Sequence, residues 1–180
     1  MDFKESQTYE NLKTAFSGEA QAHAKYQYYA SQAKKDGYEQ IKEIFEETAH
    51  NEKEHAKIWF KLLHNKEIPD TIDNLIDAIA GEHYEASQMY IDFYKTAQDE
   101  GYDDIANLFL QVSNIERAHE KRYEVLLDNI RHNSIFHKDD SINWKCSNCG
   151  FTYVGRNAPA QCPVCAHPQA YFYESLFNYL

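Results

Sequence analysis

Helix breakers are scarce over the first three-quarters of this 180-residue chain: residues 1–133 hold one proline, Pro69, and four glycines. Cysteine is absent before residue 146. Basic residues are short too, 18 against 29 acidic ones, for a formal charge of −11. Such a surface repels nucleic acid and anionic membranes, which sets both aside as partners. No apolar run approaches the ~20 residues that a membrane span needs. The N-terminal stretch "MDFKESQTYENLKTAF" lacks a basic segment followed by an apolar one, so no signal peptide is expected and a cytoplasmic protein is the default.

What is present is helical periodicity. Ile41, Ile44, Phe45, Thr48, Glu52, His55, Trp59 and Leu62 fall on one stripe at steps of three and four. Ile105, Leu108, Phe109, Val112, Glu116, His119, Tyr123 and Leu126 repeat that stripe at one constant offset. The turns repeat as well, "KDGYEQI" at 35–41 against "DEGYDDI" at 99–105, with Gly37 and Gly101 placed to close helices in the left-handed conformation. Tyr26 and Ala33 return as Tyr90 and Ala97. The chain is read as two helical hairpins from a duplicated unit, and four amphipathic helices bury their stripes only by packing into a four-helix bundle.

The polar members of those stripes carry the chemistry. Glu52 with His55, and Glu116 with His119, each form Glu-x-x-His on an apolar face. Glu19 lies on the stripe of the first helix, and Glu82 with Glu85 on that of the third. A single Glu-x-x-His is ordinarily a solvated pair, but two at the repeat spacing, joined by inward glutamates from the other helices, are not. Five uncompensated buried carboxylates, at several kcal/mol each, would unfold a domain stable by only ~5–15 kcal/mol. No Lys or Arg stands on the stripes to neutralise them. Two divalent cations would, and the mixture of carboxylate and imidazole suits iron or manganese in the di-metal layout of one Glu from each of two helices and Glu-x-x-His from the others. Gly18 and Gly81, each just before a glutamate, are read as sites of close backbone approach or of a local π-bulge. His23, His50, His64, His83, His132, His137 and His167 are assigned to the surface or to supporting roles.

Residues 141–180 differ in character. Cys146, Cys149, Cys162 and Cys165 form the two C-x-x-C knuckles of "CSNCGFTYVGRNAPAQCPVC", the spacing of a tetrahedral four-thiolate site for zinc or iron. Beside a redox di-metal site, which needs an electron source, redox-active iron is favoured over structural zinc. Trp144, Phe151, Tyr153 and Phe172 are expected to form its small aromatic core.

The segments "AFSGEAQAHAKYQYYASQAKKDGY", "ETAHNEKEHAK", "AIAGEHYEASQMY", "IERAHEKRY" and "APAQCPVCAHPQAYF" together resemble, in order, those of the rubrerythrin family. The resemblance implies a mainly α fold: a ferritin-like bundle over residues 1–138, then a rubredoxin-like module over 139–180. It implies a peroxidase that reduces hydrogen peroxide to water, with two irons held by Glu19, Glu52, His55, Glu82, Glu85, Glu116 and His119 and a third by the four cysteines; zinc or manganese substitution is possible. One iron of the family exchanges a Glu ligand for a His on reduction, assigned here to Glu82 and His55. Tyr26 and Tyr90 would donate hydrogen bonds that orient carboxylates. Without a G-x-G-x-x-G motif, NAD(P)H would act only through a separate reductase or electron carrier. Ferroxidase or iron-storage activity, oxygen reduction and a zinc-ribbon interaction protein remain as rival functions.

The link "HNKEIPDTIDNL" is short for this architecture. Helices two and three of a ferritin-like bundle run parallel, so the link must travel back ~30 Å, whereas the steps from Asn65 to Thr71 reach ~20 Å. A homodimer that swaps helix pairs is therefore expected, unless helix two or three frays.

Overall fold

The computed structural model describes residues 2–176. It divides into two compact units, 1–70 and 71–180. The first is a hairpin of α1 (Gln7–Lys35) and α2 (Glu39–Leu63). The second begins with α3 (Thr71–Tyr84), which runs without a break through a π-helical turn (Glu85–Met89) into α4 (Tyr90–Asp99), so that the three make one long helix. That helix packs on α5 (Asp103–Arg131). A small antiparallel sheet of β1 (His137–Cys146), β2 (Thr152–Asn157) and β3 (Phe172–Glu174) follows, in the order β2-β1-β3. The chain is thus mainly α, with four long helices and a C-terminal β module.

Local chemistry sets the helix ends. Ser6 caps α1, its Oγ accepting from the Tyr9 N–H at 3.1 Å. Gly37 and Gly101, at φ 83° and 82°, end their helices identically: Tyr38 N–H donates to the Ala33 carbonyl at 2.9 Å, and Tyr102 N–H to that of Ala97 at 2.8 Å. This is the Schellman arrangement, in which a left-handed residue lets the chain fold back on orphan carbonyls. Asn133, at φ 55°, closes α5 the same way, with Ser134 N–H donating to the Asn129 carbonyl.

The duplication extends to packing. Tyr26, Tyr29 and Phe45 form a ring cluster with centroids 5.5–6.1 Å apart, and Tyr90, Phe93 and Phe109 form its counterpart at 5.5–6.2 Å. Small residues seal the helix contacts: Ala49 and Ala56 are buried in the first hairpin, Ala86 and Ala106 in the second. Much of each apolar stripe nevertheless stays open, with Ile44 55% and Leu108 64% exposed. Two helices can cover only one side of each other, so a hairpin alone leaves its second apolar face bare.

In the β module Trp144 is fully buried, and its indole N–H donates to the Gly155 carbonyl at 2.9 Å. Phe172, Ala158, Cys146 and Cys162 complete the core, with Phe136, Ile142 and Phe151 against it. Tyr153, expected in this core, is 45% exposed. Its ring lies over Gly155, where an added Cβ would meet it at 2.6 Å, because β2 turns this residue outward. The last four residues of the expected 139–180 module lie outside the described residues.

Candidate metal centres

Each hairpin gathers one Glu/Glu/His set. On the first, α1 supplies Glu19 and α2 supplies Glu52 and His55. His55 Nδ1 lies 2.9 Å from Glu52 Oε2 and 3.9 Å from Glu19 Oε1. On the second, α3 supplies Glu82 and α5 supplies Glu116 and His119, with His119 Nδ1 2.7 Å from Glu116 Oε2 and 3.5 Å from Glu82 Oε2. The helical pitch explains both: residues three apart project over the same turn, so each Glu-x-x-His aims an oxygen and a nitrogen at one point.

Six of the seven expected donors are thus collected, three on each hairpin. Glu85 stands outside the three-donor set but is close enough for its charge to act on Glu82 and Tyr90. In the single chain the side chain of His55 is 51% exposed, Glu19, Glu52, Glu82 and Glu116 are half-buried and His119 is partly open. These donors lie on the faces that a lone hairpin leaves uncovered.

The electrostatics suit a bound cation. Burial pushes the Glu82 carboxyl above its ordinary value, the hydrogen bond and charge of Glu116 push it further, Glu85 adds to this, and only His119 opposes. Two carboxylates sharing one imidazole hold more negative charge than they neutralise. The phenol of Tyr90 is likewise raised, by burial first and then by the charges of Glu85 and Glu116, and stays a hydrogen-bond donor. Tyr26 and Tyr90 both stand in the ring clusters of their hairpins.

The expected auxiliary histidines divide. His83 pairs with Glu120 at 2.8 Å, His132 with Asp128 at 3.1 Å, and His137 with Asn157 at 2.7 Å. His64 stacks on Phe60, and His167 lies edge-on to Tyr171. His23 does more: half-buried, its Nδ1 donates to the Ala49 carbonyl at 2.7 Å and ties α1 to α2. Gly18 and Gly81 have open space around them in the single chain. The π turn lies beyond Gly81, at Glu85–Met89, and α1 has none.

The four thiols converge in the β module. Cys146 Sγ lies 3.7 Å from Cys165 Sγ, and Cys149 Sγ lies 3.6 Å from Cys162 Sγ. A tetrahedron with metal–sulfur bonds of about 2.3 Å has edges of about 3.8 Å, whereas a disulfide needs about 2.05 Å. Both knuckles are built alike: Gly150 N–H donates to the Cys146 carbonyl, and Ala166 N–H to that of Cys162. The backbone N–H of His167, helped by neighbouring thiols, holds the Cys165 thiol down at about 6. At Cys149 the N–H of Phe151 pulls down, but desolvation and the three other thiols outweigh it and push the group up to about 12. Four crowded sulfurs cannot all ionise without a cation among them.

Residues 10–127 match the rubrerythrin family profile, and residues 144–173 match that of the rubrerythrin, rubredoxin-like domain. The chain belongs to the rubrerythrin family. It is 45% identical to rubrerythrin-1 of Clostridium acetobutylicum, over 94% of each chain. It is 44% identical to the rubrerythrin of Nitratidesulfovibrio vulgaris, over 94% of each, and 43% identical to that of Porphyromonas gingivalis, over 98% of this chain and 94% of the relative. Rubrerythrin membership makes this a metal-binding protein of an oxidoreductase family, with donor sets that fit iron. Among the described residues no helix is long and apolar enough to cross a membrane.

Proposed function

We propose that this chain is a non-haem di-iron peroxidase of oxidative-stress defence that reduces hydrogen peroxide to water. The observation that carries the reading is the pairing, in one chain, of two repeat-related Glu/Glu/His sets with a four-thiolate cluster. Residues 1–138 would form the ferritin-like bundle and 139–180 the rubredoxin-like module. Glu19, Glu52, His55, Glu82, Glu85, Glu116 and His119 would hold two irons, and Cys146, Cys149, Cys162 and Cys165 a third. When bound, the irons supply the two electrons taken up as the O–O bond breaks, H2O2 + 2 e− + 2 H+ giving 2 H2O, with replenishment by way of the four-cysteine centre.

The chain's own residues do the rest. The glutamates offset the cations' charge and fix their spacing. Tyr90, kept protonated by burial and then by the charges of Glu85 and Glu116, presents an O–H that can orient a carboxylate, and Tyr26 occupies the matching place in the first hairpin. Reducing equivalents would come from an external reductase or small electron carrier. Four free thiols set for metal rather than for disulfides support a reducing, cytoplasmic setting.

The bundle would close as a domain-swapped homodimer, α1 and α2 of one chain completing the ligand set with α3, α4 and α5 of its partner. Three observations support this. Each hairpin gathers one three-donor set. Each bares an apolar face around them. Neither helix frays to lengthen the link: α2 persists to Leu63 and α3 starts at Thr71, while Asn65 and Lys66, at φ 54° and 71°, curl the segment between them into a turn.

The test is stopped-flow mixing of the fully reduced protein with peroxide and, separately, with oxygen, following reoxidation of the iron centres. Reoxidation by peroxide at least tenfold faster than by oxygen is expected. Equal or faster reaction with oxygen would make it an oxygen reductase. Accumulation of a ferric mineral without peroxide turnover would make it an iron-handling protein.

A further inference from the structure

The two hairpins repeat one another, but not at a single spacing. Leu12, Gly18 and Glu19 recur as Leu75, Gly81 and Glu82, whereas Tyr26, Ala33 and Gly37 recur as Tyr90, Ala97 and Gly101, each one position later than the first spacing would put it. "GEAQAHAKY" in α1 therefore answers to "GEHYEASQMY" in the third helix, which is one residue longer. In an unbroken α-helix one extra residue rotates everything beyond it by about 100°. No such rotation occurs, since Tyr90 and Phe93 pack on Phe109 as Tyr26 and Tyr29 pack on Phe45. The π turn at Glu85–Met89 absorbs the extra residue, as π-bulges do.

The turn displaces a hydrogen bond, and the displaced partner can be identified. In an α-helix the Tyr90 N–H would donate to the Ala86 carbonyl; here it donates to the Glu85 carbonyl instead. Ala86 is 1% exposed, so water cannot serve its oxygen. The Ser113 hydroxyl of α5, also 1% exposed, donates to it at 2.8 Å. The repeat counterpart of Ser113 is Ala49, which has no hydroxyl, and α1, which α2 packs against, has no π turn to satisfy. The hydroxyl is present in the hairpin that has the bulge and absent from the one that lacks it.

We propose that Ser113 is a positioning residue whose hydroxyl pins the π turn and so sets Glu85 beside Glu82 and Tyr90. The counterpart of Glu85 in α1, at the spacing that relates Glu19 to Glu82, is Ala22. The pinned turn thus adds a carboxylate to one half of the ligand set only and makes the two metal positions chemically unequal. This rests on the di-metal reading above, and Ser113 itself touches no metal donor in that reading.

The test uses the metal-free, full-length protein and its Ser113→Ala, Ser113→Thr and Glu85→Ala variants, titrated anaerobically with Co(II). Thiolate charge-transfer bands report filling of the four-cysteine cluster, and the weaker ligand-field bands report the carboxylate–imidazole sites. Ser113→Ala is expected to weaken one bundle Co(II) by about tenfold, leave the other within about twofold, and speed amide exchange of the Tyr90 N–H by about tenfold in the metal-free protein. Ser113→Thr, which keeps the hydroxyl, retains both ions. Glu85→Ala reproduces the loss at one ion without the change in exchange. Wild-type affinity for both ions in Ser113→Ala, or equal weakening of both, overturns the proposal. Wild-type protein that binds Co(II) only at the cysteines overturns the di-metal reading itself, while the exchange comparison still tests the pin separately.

Discussion

The Nδ1 atom of His119 lies 2.7 Å from Oε2 of Glu116, one turn earlier on α5. The first hairpin repeats the relationship with His55 and Glu52 at 2.9 Å. A cation held by both atoms would replace this hydrogen bond. Glu52→Ala and Glu116→Ala should each lower bundle metal affinity by more than about a hundredfold, beyond the loss seen when mere supporting groups are removed. Metal analysis per chain checks it, with the cysteine-bound ion as internal standard. Full bundle occupancy in either variant would show that these glutamates are not ligands.

The raised Glu82 carboxyl makes stability depend on pH in opposite senses with and without metal. Burial is the main cause, followed by Glu116, so the folded metal-free chain holds this proton more tightly than the unfolded chain, whose ordinary value is 4.5. The contribution is complete below 4.5 and is lost as pH rises through the raised folded value. Glu82 should therefore make the Tm of metal-free protein fall more, or rise less, as pH climbs above about 4.5 than it does in Glu82→Gln. Saturating divalent cation should reverse it, because the ion takes the proton's place. Identical pH dependence of the metal-free Tm in wild type and variant would count against the assignment.

The two cysteine knuckles differ at one matched position. Gly150 has φ 78° and Ala166 has φ 58°, and only the alanine pays for a left-handed conformation. Ala166→Gly should stabilise the metal-loaded module by about 1 kcal/mol and Gly150→Ala should destabilise it by a similar amount. Space around Gly150 is open, so the second effect is conformational and not a clash. Trp144 fluorescence in a Trp59→Phe background reads the unfolding, and opposite signs in the two variants are the diagnostic outcome.

Inserting about ten Gly/Ser residues between Asn65 and Lys66 would let one chain reach back ~30 Å and complete its own bundle. Sedimentation should then show a monomer that keeps its bundle metal. A monomeric wild-type protein with full metal content would exclude the swap.

The two clustered donor sets were legible in the sequence because helical spacing converts Glu-x-x-His into a shared face, and the internal repeat made the second copy a check on the first. The helix ends at Gly37 and Gly101 were legible for the same reason, since left-handed closure has few residue types to choose from. Tyr153 was misplaced because side-chain alternation in a short strand, paired with a neighbour of irregular register, cannot be phased from composition. A π-bulge was one of the two readings offered at Gly81, but the turn's place at Glu85–Met89 shows in the sequence only as a repeat that slips by one residue, and Ser113 reads as an ordinary polar residue until its hydroxyl is seen on the Ala86 carbonyl.

By itself the sequence determined four long helices in two hairpins, a four-thiolate module and the donors on their faces, because periodicity, turn residues and cysteine spacing are local properties. Only the tertiary structure decided that the donors gather three to a hairpin, that these faces stand partly open in a single chain, and that Glu85 lies on a π turn braced from α5. Those outcomes depend on which backbone groups and surfaces remain unsatisfied once the helices have packed, and no local pattern of residues records that.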